Sequence, residues 1–319
     1  MKTMTAAAAL AACLSLGLAA PALAQAHGSH AAHGQATQQG AADHGHRHAD
    51  FQSGRFHVRI DGPEHPVGDI ILIPGLTSSP EVWDGLTDQL KGRYRIHRVH
   101  VQGFAGAPAE DNATGPVAAP VAEDLARYIA EQGLNKPVVI GHSMGGTIAM
   151  MLAARHPDSV GKLMVVDMVP FMGAMFGAPG ATAESVTPIA NQIYASMSTG
   201  TREAYNTQAT ASINSMIKTE SLRAGPIRDM ETSDQQVAAS SFRELIVTDL
   251  RPELSRITAP TEVLYVLFTG QTPEFTDMVY RMSYQGLPGA ELKRIDNSAH
   301  FIMLDQPAAF AAEVNAFLE

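Results

Sequence analysis

The run Pro137-Val138-Val139-Ile140-Gly141-His142-Ser143-Met144-Gly145 constrains this chain more than any other. Residues suited to a buried strand lead into it, and a helix-prone segment rich in Ala and Met follows from Thr147 to Arg155. A G-x-S-x-G pattern between strand and helix requires a very tight turn. Such a turn holds the serine in a strained backbone conformation, and glycines two positions before and after it let strand and helix approach without Cβ clashes. The geometry lifts Ser143 Oγ clear of the sheet edge. It also aims the amide of Met144 at negative charge forming beside that oxygen.

The rest of the chain supplies matching elements. Phe56 to Ile60 alternates apolar and polar residues, as a half-exposed strand does. Asp69 to Ile73 is a near-continuous apolar strand. Ser79-Pro80-Glu81 opens a helix carrying Trp83, Leu86 and Leu90 on one face. A strand over Tyr94–Val101 precedes an amphipathic helix, Pro120 to Gln132, with Val121, Leu125, Tyr128 and Ile129 inward. Leu163 to Asp167 is the strand after the Ser143 helix. Strands alternating with helices predict an α/β fold with a doubly wound, mostly parallel sheet. From Pro170 to about Leu250 this rhythm breaks into strand-poor, helical sequence rich in Met, Ala, Ser and Thr. It resumes with a strand from Thr261 to Phe268, a helix from Glu274 to Tyr284, a strand from Glu291 to Ile295 and a helix from Asp305 to Phe317.

From about Phe56 to the C-terminus, these stretches resemble the α/β-hydrolase superfamily. Ile70-Ile71-Leu72-Ile73-Pro74-Gly75-Leu76 resembles the strand and loop that supply one oxyanion amide. Pro74 has no amide to donate, so Leu76 is the candidate beside Met144. Trp83 stands where members often carry a tryptophan, and Ser143 matches the nucleophile. Ser298-Ala299-His300-Phe301 resembles the histidine loop, with Gln306-Pro307 opening the closing helix. The resemblance implies one α/β-hydrolase domain over residues 51–319. It places a helical cap at about 170–250, inserted after the sixth core strand. Trp83, Phe171 and Met172 are expected to line the substrate pocket, methionine adapting well to irregular ligands.

Serine alone is a poor nucleophile near neutral pH and needs a base within hydrogen-bond reach. His300 is the candidate base, while His142, beside the nucleophile, is expected to point away as packing. The acid that would orient His300 is open. Most members carry it after the strand matching Thr261–Phe268, but Thr269-Gly270-Gln271-Thr272-Pro273 offers no carboxylate before Glu274 and Asp277. Another branch places it after the preceding core strand, where this chain has Asp167. Asp167 is favoured because residues at the carboxyl end of a parallel strand face the site. Glu274, Asp277 and Asp296 stand as alternatives. A serine nucleophile points to acyl transfer, above all carboxylester hydrolysis through an acyl-enzyme on Ser143. Lactone, amide or C–C bond hydrolysis are alternatives, as is a non-catalytic or metal-binding exported protein.

Composition narrows the partners. The chain has 319 residues, 45% hydrophobic and 17% charged, with a formal net charge of −10. An acidic surface argues against nucleic acid and anionic membranes. The expected partner is a small-molecule substrate, with no membrane span, no cofactor and no core metal; oligomeric state is left open. Residues 1–24 read as a signal peptide: Lys2, an apolar run from Ala6 to Ala20, then Ala22-Leu23-Ala24 before a cleavage near Gln25. The rival reading is lipidation at Cys13, the sole cysteine, after Leu10-Ala11-Ala12. Residues 25–50 read as a disordered arm holding His27, His30, His33, His44, His46 and His48, able to bind metal but read first as a solvated linker. The mature protein is expected in the periplasm or secreted.

Overall fold

Four strands, β2 (Asp69–Ile73), β4 (Val138–His142), β5 (Lys162–Val166) and β6 (Thr261–Tyr265), are buried almost throughout. That pattern belongs to parallel strands covered on both faces. The computed structural model describes residues 51–319; the expected signal peptide, Cys13 and the expected His-rich arm lie outside them. Three more strands, β1 (Phe56–Asp61), β3 (Arg95–Val101) and β7 (Glu291–Arg294), complete a seven-stranded sheet of order β1-β3-β2-β4-β5-β6-β7. Only β1 runs antiparallel to its neighbour, pairing with β3, as the alternating pattern of an edge strand allows. The other edge, β7, carries Glu291, Lys293 and Arg294, charges that discourage pairing with a further strand.

The helices follow the chain in order. A 3₁₀ turn at Pro80–Trp83 runs into α1 (Asp84–Leu90), then come α2 (Ala118–Glu131) and α3 (Met144–Arg155). Between β5 and β6 lie α4 (Ala183–Thr199), α5 (Arg202–Met216), α6 (Ala224–Thr232) and α7 (Gln235–Val247). The chain closes with α8 (Pro273–Ser283), α9 (Ile302–Asp305) and α10 (Pro307–Leu318).

Side chains alternate across a strand, so the sheet sorts them onto two cores. Ile71 and Ile73 face one cluster with Leu125, Ile148 and Met151 of α2 and α3. Ile70 and Leu72 face the other, with Leu86 of α1 and Phe310 of α10. Every residue of α3 except Arg155 is buried, because it is wrapped by sheet and helices.

One expectation needs correction. The helical insertion follows the fifth described strand, not a sixth, because the described sheet begins with a single antiparallel edge strand. The closing helix forms at Pro307–Leu318, where Gln306-Pro307 was expected to open it; Pro307 restricts Gln306, which takes φ −132, ψ 57, and so separates it from the short helix Ile302–Asp305.

The insertion is fastened to the core. Glu244 of α7 is buried, and its carboxylate accepts from the amides of Val117, Ala118 and Ala119 at 2.6, 2.8 and 2.9 Å. These are donors at the start of α2 that no helical carbonyl can reach.

At the opposite end of the sheet, Asp69 accepts from Arg95 Nε at 2.6 Å and His97 Nε2 at 3.0 Å, while Tyr128 donates to His97 Nδ1 at 2.7 Å. Burial alone would raise the Asp69 carboxyl, but the bonds from His97 and Arg95 prevail and hold it at about 2, against 3.8 ordinarily. A carboxyl lowered by folding contributes stability that is complete above its unfolded pKa and lost as pH falls through its folded one. Asp69→Asn should therefore lower the unfolding free energy at neutral pH, and the loss should shrink between about pH 4 and pH 2, as denaturant titrations across that range would show.

Candidate active site

Chain order reverses between β2 and β4: β2 leads outward to β3, whereas β4 leads the other way to β5. Loops leaving the carboxyl ends of two such neighbours diverge and open a crevice. The loop after β2 carries Gly75, Leu76, Thr77 and Ser78; the turn after β4 carries Ser143. All five line one cavity of about 730 Å³.

Ser143 has φ 54 and ψ −120, a strained setting for a residue with a Cβ. Its amide donates to Val166 O at 2.9 Å, so the turn stays tied to β5. The flanking glycines are required by contact. A Cβ on Gly141 would lie 2.1 Å from Gly145 O, and one on Gly145 would lie 2.1 Å from Ile73 O. Met144 is the first residue of α3, where the helix offers its amide no acceptor. Gly75 abuts the serine: a Cβ there would stand 3.2 Å from Ser143 Cβ.

Asp167 follows β5, next to the serine's strand, with φ 50. His300 Nδ1 lies 2.6 Å from Asp167 Oδ2. The other oxygen, Oδ1, accepts from the Val266 amide at 3.2 Å and from Tyr280 Oη at 2.9 Å. Burial first, and the Asp167 charge second, push the Tyr280 phenol far above its usual range, so it stays protonated and donates. Tyr284, the residue that ends α8, donates to Met168 O at 2.7 Å. Four non-glycine residues with positive φ, Thr77, Ser143, Asp167 and Asn297, line the cavity, so backbone strain is concentrated there.

His142 does not point away. Its Nε2 donates to the His300 carbonyl at 3.0 Å, and the two rings lie 4.6 Å apart. Burial first, then the neighbouring His300 charge, drive its pKa well below the ordinary histidine value. Nδ1, the bare nitrogen in this tautomer, has no partner among the described residues.

Of the anticipated residues, Ser143, His300, Asp167, Leu76 and Met172 line the cavity, with Met144 buried behind the serine. Trp83 and Phe171 do not line it, which corrects their assignment to the pocket. Trp83 is fully buried against Phe310 in the α1–α10 core, ring centroids 6.1 Å apart. Phe171 is buried beneath Arg251, whose guanidinium lies 4.5 Å from its centroid. The alternative acids are engaged elsewhere or exposed. Asp277 binds Tyr265 Oη and Arg294, Asp296 pairs with Arg294, and Glu274 is exposed in the first turn of α8. Tyr280, Tyr284 and the Val266 amide were missed. A signal existed for the tyrosines, since residues four apart share one helix face.

Much of the remaining wall is apolar, although Ser215, Lys218, Thr269 and Asp296 also line it. Met168, Met172 and Met175 follow β5, and Ile213, Met216, Met230, Phe242 and Leu245 come from the inserted helices.

The model of the alpha/beta hydrolase family matches residues 70–313. A pimeloyl-[acyl-carrier protein] methyl ester esterase of Vibrio cholerae is 25% identical over 249 residues, spanning 78% of this chain and 93% of its own. The enol-lactonase of Burkholderia xenovorans LB400 superposes with a TM-score of 0.66 at 21% identity, over 82% of this chain and 96% of its own. An esterase from Exiguobacterium antarcticum gives 0.69 at 18%, over 82% and 95%.

The close contacts at the turn set a stability test. Gly145→Ala should destabilise the fold by about 3 kcal/mol or more, since the Cβ would meet backbone that cannot move aside. Gly85→Ala, in α1 with open space around it, should be neutral or stabilising by about 1 kcal/mol at most. Denaturant unfolding of the two variants reads the difference.

Proposed function

The chain belongs to the alpha/beta hydrolase family, and on that premise we propose that it is an exported serine hydrolase that cleaves carboxylic esters through an acyl-enzyme on Ser143. The observation that carries this reading is the 2.6 Å contact between His300 Nδ1 and Asp167 Oδ2, in the cavity that Ser143 also lines. Ester hydrolysis is further supported by the similarity to the methyl ester esterase of Vibrio cholerae.

In this reading His300 Nε2 takes the Ser143 hydroxyl proton as Oγ attacks the ester carbonyl. The amides of Leu76 and Met144 donate to the oxyanion. Collapse of the tetrahedral intermediate expels the alcohol, which receives the proton from His300. Water, deprotonated by the same imidazole, then releases the acid and restores Ser143. Asp167 accepts from His300 Nδ1–H, fixes the tautomer and stabilises the imidazolium. Tyr280 and the Val266 amide, both on Oδ1, leave Oδ2 turned to the histidine. The methionine-rich wall suits an uncharged, apolar acyl group, because a buried unpaired charge is costly.

With p-nitrophenyl esters as substrates, Ser143→Ala, His300→Ala and Asp167→Asn should each lower kcat on the order of 10⁴-fold. Glu274→Gln and Asp277→Asn should change it little. Near-full activity of Ser143→Ala would exclude the mechanism, and steep losses in the latter pair would move the acid to α8.

Export is supported by the Ala22-Leu23-Ala24 pattern after the apolar run. Mass spectrometry of protein recovered from periplasm or medium should find Gln25 or a close neighbour as the first residue. An acylated Cys13 would contradict it.

A further inference from the structure

The inserted helices do more than roof the cavity. The stretch from Met216 to Asp234 is tied to three loops at the carboxyl ends of the strands. At the loop after β2, Asp229 Oδ2 accepts from both the amide of Ser79, at 2.9 Å, and its hydroxyl. At the loop after β3, the amide of Ala105 donates to Ser233 Oγ at 2.9 Å, and the amide of Asp234 donates to Gly103 O at 2.7 Å. At the histidine loop, Asp305 gathers three amides: Lys218 at 3.1 Å and Thr219 at 2.9 Å from the insertion, and Ala299 at 2.9 Å from its own loop. The amide of Phe301 donates to Met216 O at 3.2 Å. The residues on both sides of His300 are thus held from outside the sheet.

We propose that residues 216–234 act as a fixed strut and that Asp229 and Asp305 are positioning residues, holding the Gly75–Ser79 loop and the His300 loop in register across the cavity. The proposal rests on the serine-hydrolase reading for its kinetic consequences. Its physical basis is that hydrogen bonds to an ionised acceptor are stronger than neutral ones, and here they fall on backbone amides, whose positions set the loop path. Asp305 bears this out: burial opposes its ionisation, yet the amides of Ala299, Lys218 and Thr219 hold its carboxyl below the usual range. A displacement of about 1 Å in a catalytic group costs on the order of 10²-fold in rate, so anchoring of this kind is felt in kcat.

The test compares wild type with Asp229→Ala, Asp229→Asn, Asp305→Ala and Asp305→Asn. Each is assayed on p-nitrophenyl esters per active site titrated with a fluorophosphonate, and each is followed by amide hydrogen exchange. The alanine variants should lose roughly 10- to 100-fold in kcat with KM changed by no more than about threefold. The asparagine variants, which keep one acceptor oxygen, should recover part of the loss and fold where an alanine variant fails. Exchange should quicken at Ser79 for Asp229 variants and at Ala299 for Asp305 variants. Wild-type kcat per titrated site, or faster exchange spread over the whole domain, would overturn the strut. If Ser143→Ala retains the ester hydrolysis, the serine-hydrolase reading fails instead, and the exchange pattern alone decides whether the loops are held.

Discussion

One contact governs this molecule: the backbone of α3 against the ends of β2 and β4. Gly145 passes so near Ile73 O, and Gly141 so near Gly145 O, that no side chain fits at either position. This approach fixes Ser143 in its strained conformation, brings the loop after β2 against the serine, and buries α3 on nearly every side. A looser turn would let the serine relax into an ordinary conformation and would part the two loops that make the crevice. The strain is sustained because the surrounding sheet and helix are far more stable than the turn is costly.

Around that contact the polar groups are arranged by burial. Asp167 would be an isolated acceptor in an apolar wall were it not for the donors it meets, the Val266 amide, Tyr280 and His300. Tyr280 remains a donor because burial and a neighbouring carboxylate both disfavour its ionised form. His142 stays neutral for a related reason and lends its single N–H to the backbone of His300. The histidine is therefore held at its ring by one strand end and at its carbonyl by the next.

Much of this was legible in the sequence wherever local geometry demands particular residue types. The glycines around Ser143 and the apolar central strands follow from sterics and burial, and they read directly. Asp167 read as a site residue because strand ends of a parallel sheet face the crevice. What did not read depends on tertiary direction. Phe171 and Met172 are neighbours at the start of an irregular turn; one goes under Arg251 and the other to the cavity, and no periodicity distinguishes them. Trp83 is large and apolar, a description that suits a core as well as a pocket, and it packs on a helix more than two hundred residues away. Tyr280 reads from the sequence only as part of a helix, since its partner lies 113 residues earlier. The expectation that His142 points away as packing fails because the turn alone does not reveal what the histidine loop presents to it.

The carboxylate of Glu244 at the head of α2 has a bearing on the order of assembly. α2 has no side-chain cap of its own, and Val117 precedes it. Its first amides are satisfied by a residue about 127 positions later. A chain emerging from its amino end makes α2 long before α7 exists. The first turn of α2 then stays frayed until the inserted helices are made and dock. Closing so long a loop carries an entropy cost that grows with its length, and contacts this distant in sequence weigh on the folding rate as well as on the final stability.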